Sequence, residues 1–470
     1  MGLGTDVRTC FAQQPAPTAD RCNIAKVTID MLPDVALLRI FDFYIMNEDR
    51  IEAWHTLVHV CREWRIVIFG SPRRLDLQLL CKVNSSIRIR EKLDGWPLFP
   101  IVVRADGYKT WRADNIIAAL EHKDRVRQLR FLELSSWLLE TVLAKLWQSF
   151  LALTHLELQS EDETILADHD SFLGGSAPSL RSLLLDYVPF PGLPKLLSST
   201  IHLADLRLRN ISHSRYISSE AMVTALSTLT RLERLWLEFE SPIHHERKSR
   251  HPMTQTLLPS LTELLFSGVC DYLEDLVAGV DTPLLDKLDL GFFYQPIFDT
   301  PELHQFITRT PKFRAHDEAR AVFFDSHISI ELQTFDRRLH LKILLCELSN
   351  QLLSLAQVCS SSFPQALMSG VKRLYIDTGY WRRGWQGGNQ WLEILHPFTG
   401  VNGLYVSLEC TPPIAFSLRE LVGERCLEVL PALQNLFFKE RLPLGRVQDA
   451  IGQLVAVRQL VGHPVAVSLW

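Results

Sequence analysis

The chain lacks the patterns that identify secreted, membrane-spanning and zinc-binding proteins. Its nine cysteines are an odd number and form no C-x-x-C pair, which argues against a disulfide framework and a zinc knuckle. No uncharged apolar run approaches the roughly 18 residues of a membrane helix, and the first residues contain no apolar core of a signal peptide. These absences predict a reducing compartment, cytoplasmic or nuclear, and no membrane partner.

The chain also has no large excess of positive or of negative charge. The 49 Lys and Arg residues are balanced by 54 Asp and Glu residues, which leaves a formal net charge of -5. Such a chain has no global field that would attract a nucleic-acid backbone, so we expect no nucleic-acid partner. The apolar share of 47% and the charged share of 22% are those of an ordinary folded protein.

Catalytic signatures are absent as well. The sequence contains no G-x-S-x-G elbow, no G-x-x-x-x-G-K phosphate loop and no H-E-x-x-H zinc helix. We therefore expect no catalytic residue, no cofactor and no metal, and predict that the protein is not an enzyme. Three polar clusters, at 161–170, 244–251 and 381–391, are interpreted as two solvated loops and, for the third, a protein contact or local packing.

The amino-terminal region predicts a tail followed by a small helical module. Residues 1–27 show no periodicity, which predicts a disordered tail. Two amphipathic segments follow within 28–72, each with its apolar side chains on one face: Leu37, Leu38, Phe41, Tyr44 and Ile45 in the first, and Trp54, Leu57, Val58, Cys61 and Trp64 in the second. Because two short helices bury little surface, they must pack on a following domain or on a partner.

Beyond residue 125 the chain repeats the unit L-x-x-L-x-L. The units begin at Val126, Leu153, Leu180, Leu203, Leu232, Leu261, Leu285, Ala319, Val371, Val401 and Leu433. The steps between them are 23 to 34 residues, apart from one gap of 52 residues that predicts a degenerate unit with its strand at Leu341, Ile343 and Leu345. A period of this size with helical stretches between the strands predicts an α/β leucine-rich-repeat solenoid, or horseshoe, over 126–470.

The residues between the module and the first clear unit also contain strand-like runs. Apolar runs near Leu75 and Ile101 lie about one unit apart. We therefore predict atypical capping repeats over 73–125, ahead of the main solenoid.

The repeat also predicts a binding surface. Because side chains alternate along a strand, the residue between the last two leucines must lie on the concave face. Large side chains at that position are typical binding anchors, and the predicted substrate-binding residues are Arg207, Trp236, Phe323, Tyr375, Tyr405 and Phe437. The alternative, to which the sequence gives equal weight, is that terminal tails or lateral packing cover these rings.

The module also resembles a known family. Leu32-Pro33-Asp34, Leu37-Leu38, Ile40-Phe41 and the run Val60-Cys61-Arg62-Glu63-Trp64-Arg65 resemble an F-box, and the whole layout is similar to the F-box/leucine-rich-repeat proteins, especially a large fungal group. The resemblance implies a substrate adaptor of a Skp-cullin-F-box ubiquitin ligase that binds an unknown substrate protein through its solenoid. The residues it assigns to Skp binding are Leu32, Pro33, Leu37, Ile40, Val60 and Trp64. The alternative is a leucine-rich-repeat interaction scaffold with a degenerate F-box and no ligase role.

Overall fold

The computed structural model describes residues 29–46, 53–72, 74–83, 88–105, 113–161, 172–188, 192–211, 217–240, 255–344, 348–379, 390–421, 423–439 and 445–470. The predicted tail at 1–27 lies outside these ranges. Contacts divide the chain into two compact units, Met1–Gln78 and Leu79–Trp470.

Within its described residues the first unit contains three α-helices: α1 (Asp34–Met46), α2 (Ala53–Val58) and α3 (Arg62–Gly70). Its core is formed by Phe41 of α1, Trp54 of α2 and Ile68 of α3, none of which is exposed. The prediction of a single second helix is wrong, because the chain turns after Val58 and starts a new helix. Cys61 caps that helix, and its Sγ accepts a hydrogen bond from the amide of Trp64 at 3.4 Å.

The second unit alternates strands and helices. Within the described residues its strands are β1 (Leu79–Lys82), β2 (Ile101–Ala105), β3 (Val126–Leu134), β4 (His155–Ser160), β5 (Ser182–Asp186), β6 (Asp205–Ile211), β7 (Arg234–Phe239), β8 (Thr256–Leu257), β9 (Glu263–Gly268), β10 (Val280–Asp281), β11 (Lys287–Phe293), β12 (Glu318–Phe323), β13 (His327–Gln333), β14 (Arg338–Leu344), β15 (Arg373–Thr378), β16 (Gly403–Val406), β17 (Asn435–Phe438) and β18 (Ala466–Leu469). Its helices are α4 (Ile89–Gly95), α5 (Ala113–Leu120), α6 (Ser136–Lys145), α7 (Leu193–Ser199), α8 (Ser219–Leu226), α9 (Cys270–Ala278), α10 (Pro301–Arg309), α11 (Leu348–Ser361), α12 (Gln365–Gly370), α13 (Gln390–Leu395), α14 (Thr411–Arg419) and α15 (Arg446–Leu460).

In the part of the chain that the structure describes, all strands except β8 and β10, which pair with each other, join one 16-stranded sheet in the order β1-β2-β3-β4-β5-β6-β7-β9-β11-β14-β13-β12-β15-β16-β17-β18. The repeated leucines lie side by side in this sheet: Leu156 pairs with Leu183, which pairs with Leu206, and the same pairing continues through Leu235 and Leu264. Each of these side chains is buried. The predicted α/β repeat architecture, with a long parallel sheet, is thus confirmed.

The 52-residue gap contains a reversal of direction. β14 carries the predicted Leu341 and Ile343, pairs in parallel with β11, and is followed by α11. β13 then pairs antiparallel with both β14 and β12, and β12 pairs in parallel with β15. The chain therefore enters the sheet out of sequence order here, while Leu345 lies outside the described residues.

Buried charged side chains connect successive repeats. Arg458 of α15 is 1% exposed and donates from Nη2 to the carbonyl oxygens of Val429 and Leu430, at 2.8 and 3.0 Å, about one repeat earlier. Glu274 of α9 is fully buried and accepts the first amides of α10, from Glu302 and Leu303, at 2.9 and 2.8 Å. These contacts satisfy backbone groups that repeat ends would otherwise bury unpaired.

Candidate interaction surfaces

One face of the sheet carries rows of half-exposed and exposed side chains, and we call this face the open face. In each strand, one residue between two buried core positions lies on this face. These residues are direct neighbours across the sheet and form its central row. In strand order this central row is Lys82, Arg104, Arg130, Glu157, Leu184, Arg207, Trp236, Leu265, Asp289, His340, Glu331, Arg320, Tyr375, Tyr405, Phe437 and Ser468.

The middle of the row is charged and internally paired. Arg207 donates two hydrogen bonds to the carboxylate of Asp205, at 3.0 and 2.9 Å, and this contact raises the pKa of the guanidinium. The same carboxylate, 5% exposed, accepts a third hydrogen bond from Arg234 at 2.8 Å. A carboxylate held by two guanidinium groups positions both of them firmly.

Trp236 lies in a similar environment on the next strand. The guanidinium of Arg209 is 4.8 Å from the centre of its ring, within the range of a cation–π contact. Arg209 also pairs with Asp186 and Glu238, each at 3.4 Å. The predicted anchor is therefore a tryptophan whose ring already contacts a paired arginine.

The row ends in stacked aromatic rings. Tyr375 stacks on Tyr405 with ring centres 4.4 Å apart, and Tyr405 stacks on Phe437 at 4.5 Å. Trp470 contacts Tyr375 and Tyr405 edge to face, at 5.8 and 5.4 Å. We call these four residues the aromatic end. Burial raises the pKa of Tyr375, and nearby Glu318 adds to the shift.

The opposite end is cationic. Lys82, Arg104 and Arg130 are neighbours on β1, β2 and β3, and we call these three residues the basic end. Lys82 is exposed, and the other two are half-exposed. Arg130 pairs with Glu157 at 3.1 Å.

Phe323 does not lie on the predicted binding surface, so that prediction was wrong. Its side chain is fully buried and lies 5.4 Å from the ring of Trp391, on the side of the sheet opposite to the central row. The sequence frame was displaced by one residue because the core positions of β12 include the small Ala319 and Ala321, which give little apolar signal. Arg320 occupies the open-face position instead.

The six predicted Skp-binding residues differ from one another in exposure. Pro33, Ile40 and Val60 are exposed, the last two by 46% and 57%, whereas Leu32 and Trp64 are half-buried. Leu37 is 4% exposed and belongs to the core, so the expectation that it contacts a partner directly is wrong. Trp64 packs on Phe41 with ring centres 4.8 Å apart.

Sequence reasoning missed several apolar side chains of this unit. Phe43 is 73% exposed, and Met31, Val35 and Ile66 are each exposed by 60% or more. The signal was present, because α1 carries apolar residues around most of its circumference while its core side is already occupied by Leu37, Leu38 and Phe41. A helix that is apolar on both sides is normally covered on both.

The described residues hold no group of three or more His, Cys, Asp or Glu side chains that could bind a metal ion. Burial raises the pKa of Cys359 and of Cys410 to about 12, so neither thiol is ionised at neutral pH. In the part of the chain that the structure describes, no helix is both long and apolar enough to span a membrane. Of the three polar clusters, 162–170, 244–251 and 381–389 lie outside the described residues, and Trp391 is a buried core residue.

Comparison with known proteins gives little sequence similarity. No protein-family model and no curated protein matches the chain. Two similar solved structures are a complex of TLR13 with ssRNA13 and the leucine-rich-repeat-containing protein LegL7 from Legionella pneumophila. The first is 15% identical over 76% of this chain with a TM-score of 0.34, and the second is 14% identical over 80% with a TM-score of 0.28. The match covers 45% of the TLR13 chain and 97% of LegL7. The repeat architecture rests on the leucine rows of this chain itself.

Proposed function

We propose that the protein is a non-catalytic substrate-recognition subunit of a Skp-cullin-F-box ubiquitin ligase. The helical unit would bind the Skp adaptor, and the open face of the sheet would bind a substrate protein. The observation that carries the proposal is the exposed apolar side of α1, with Ile40 and Phe43 at 46% and 73% exposure. It lies in a unit whose residues also resemble an F-box.

Exposed apolar side chains such as Ile40 and Phe43 cost free energy in water. Covering one large apolar side chain is worth about 1.5–3 kcal/mol, and a cluster of them marks a protein contact. The core side of α1 is already packed, whereas Ile40 and Phe43 on the outer side are exposed. A helical partner that covers Phe43, Ile40 and Val60 would recover that free energy.

A second function is an interaction scaffold without a ligase link. The central row favours it independently of the module, because Trp236 and the aromatic end are large, ordered side chains on a surface. This alternative predicts protein partners without a Skp adaptor, and unchanged partner abundance when the protein is removed. In either case we propose that the chain binds partners and leaves chemistry to other proteins.

Co-purification with a Skp adaptor tests the first proposal. We expect wild type to capture the adaptor and Phe43→Asp to weaken capture at least about tenfold, because the charge would enter an apolar contact. The matched control is Phe335→Asp, which introduces the same charge at a fully exposed phenylalanine between β13 and β14. Leu37→Asp is unsuitable, since it would disrupt the core.

Two results would refute the ligase role: absence of adaptor capture by wild type, or equal capture by wild type and Phe43→Asp. Circular dichroism of the variant must match wild type for the second comparison. A separate proteomic comparison of wild type with Trp236→Ala and Tyr375→Ala tests the open face. Its control is Trp137→Ala, a tryptophan 57% exposed on α6.

A further inference from the structure

The last strand in the order of the described sheet leaves core positions uncovered. Val467 and Leu469 of β18 pair with Leu436 and Phe438 of β17, so they continue the rows of apolar core side chains. Leu436 and Phe438 are 1% and 3% exposed, whereas Val467 and Leu469 are 40% and 57% exposed. At the other end of the sheet, Cys81 of β1 is fully buried. The β18 end therefore presents core-type side chains to solvent.

The outer backbone edge of β18 is also unpaired. Ala466 and Trp470 donate their amides to backbone carbonyl oxygens of the β17 segment, at 2.8 and 3.1 Å. Because successive residues of a strand direct their amides and carbonyls to opposite edges, those of Val467 and Leu469 point away from β17. No strand among the described residues pairs with that outer edge. Two donors and two acceptors are thus oriented toward a further strand.

These two features specify what can cover the edge. The occupant must be an extended strand, because its backbone has to meet the outward amides and carbonyls, and it must carry apolar side chains at alternate positions. Sheets normally protect such an edge with Lys, Pro or a bulge. β18 reads AVSL, without charge or proline, and pairs with β17 in unbroken register. β18 is unprotected against its own copy and carries the pattern that the edge requires.

We propose that β18 pairs antiparallel with β18 of a second copy of this chain, across a twofold axis at Ser468. In this register Val467 lies opposite Leu469 of the second copy, and the two residues exchange backbone hydrogen bonds in both directions. The symmetric pair doubles these bonds to four and places both apolar pairs on the core side of the sheet. Ser468 lies opposite its own copy on the open face. One surface thus serves both subunits, as in most closed dimers.

The pairing has a consequence for recognition. It joins the two sheets edge to edge, so the two central rows meet at Ser468 and the two aromatic ends become neighbours. A dimer of this kind presents two copies of the open face to one partner, which raises the apparent affinity without any new contact type. The inference is independent of the ligase link proposed above.

The mass of the full chain in solution, measured by size-exclusion chromatography with light scattering, tests the proposal. We expect wild type to have the mass of two chains at micromolar concentration. Leu469→Lys should raise the dissociation constant of the dimer at least about tenfold, because the charge would enter an apolar contact. The matched control is Leu257→Lys, which changes a leucine 53% exposed on the short strand β8. Circular dichroism must show that both variants are folded.

A cysteine variant tests the register. Residues opposite each other in a non-hydrogen-bonded antiparallel pair have Cα atoms about 4.5 Å apart, which a disulfide can span. We expect mild oxidation to cross-link most Ser468→Cys chains, as seen on a non-reducing gel. Ser198→Cys, at an exposed serine of α7, is the control and should stay largely uncrosslinked.

Three results would overturn the proposal: a monomeric wild type, equal dissociation constants for wild type and Leu469→Lys, or equal cross-linking of Ser468→Cys and Ser198→Cys. A monomeric wild type that binds a fluorescein-labelled Thr-Val-Ser-Leu-Thr peptide, with binding lost in Leu469→Lys, would replace the second copy with a strand of another protein. Adaptor capture is measured in a separate experiment, so either proposal can fail while the other stands.

Discussion

The two ends of the central row arrange neighbouring side chains in opposite ways. At the aromatic end, each ring stacks on the next at about 4.5 Å, and Trp470 contacts two of them. At the basic end, like charges are neighbours and two of the three have no partner in the described residues. The same backbone register therefore stabilises the fold at one end and costs free energy at the other.

The largest effect should come from breaking the framework that both ends share. Leu235 is 1% exposed in β7, between the two ends, and Leu235→Asp would bury a charge without a partner. We expect a loss of about 4 kcal/mol or more in the free energy of unfolding, measured with urea. Glu238→Gln on the same strand should cost far less, and equal losses would show that the leucine row does not determine stability.

A smaller change should loosen only the aromatic end. Arg458→Met keeps the apolar stem but leaves the carbonyl oxygens of Val429 and Leu430 without their donor. We expect a loss of about 2–3 kcal/mol. Amide hydrogen exchange should become faster in β16, β17 and β18 and remain unchanged in β1–β4. Uniformly faster exchange would mean that the sheet opens as one unit.

The segment between the two ends should respond to pH. His316 is 2% exposed, and its burial, with a smaller contribution from nearby Arg337, lowers its pKa to about 4, although Asp317 opposes the shift. The neutral ring is therefore favoured in the folded state, and its stabilisation is complete above pH 6.5 and lost progressively as pH falls toward 4. Between pH 7 and 5 we expect wild type to lose about 2 kcal/mol more than His316→Gln in urea unfolding. Equal losses would contradict this assignment.

Truncation within the aromatic end should have a moderate effect. Tyr405 lies between two stacked rings, so Tyr405→Ala removes both contacts. We expect a loss of about 1–2 kcal/mol, visible as a lower midpoint of urea unfolding. If stability does not change, the stack contributes nothing to folding.

The smallest effect should have the opposite sign. Arg104→Ala removes a like-charge contact on each side, from Lys82 and from Arg130. We expect the variant to equal wild type in stability or to exceed it by about 0.5 kcal/mol at low salt, with the difference disappearing at high salt. Destabilisation would show that Arg104 has a structural role, and the contrast between the two ends would no longer hold.

The leucine period was enough to predict the register of much of the open face. It placed Arg207, Trp236, Tyr375, Tyr405 and Phe437 correctly, because strong apolar neighbours on both sides set the alternation. It failed at Phe323, where alanines occupy the core positions. The direction of β13 was also not predictable, since alternation is the same in parallel and antiparallel strands.

The basic end could have been found by extending the frame upstream. β1 and β2 read LLCK and IVVRA, so their positions equivalent to Arg130 are Lys82 and Arg104. The prediction of capping repeats over 73–125 did not include the alignment of Lys82 and Arg104 with Arg130. In the module, Leu37 was misassigned because a sequence motif does not distinguish the side of a helix that fills its own core from the side left for a partner.

The out-of-order strands β12, β13 and β14 have a consequence for how the chain folds. In a simple repeat array, each unit adds to the previous one, and order spreads along the chain from any starting point. Here β11 is not continued by the next strand in sequence, because β14 and β13 lie between it and β12. β12, β13 and β14 pair with one another through short connections, but the pairing of β14 with β11 must close the long loop from Phe293 to Arg338, which is slow. The strands up to β11 and those from β15 onward should therefore form two kinetically separate blocks, joined last through the reversed segment.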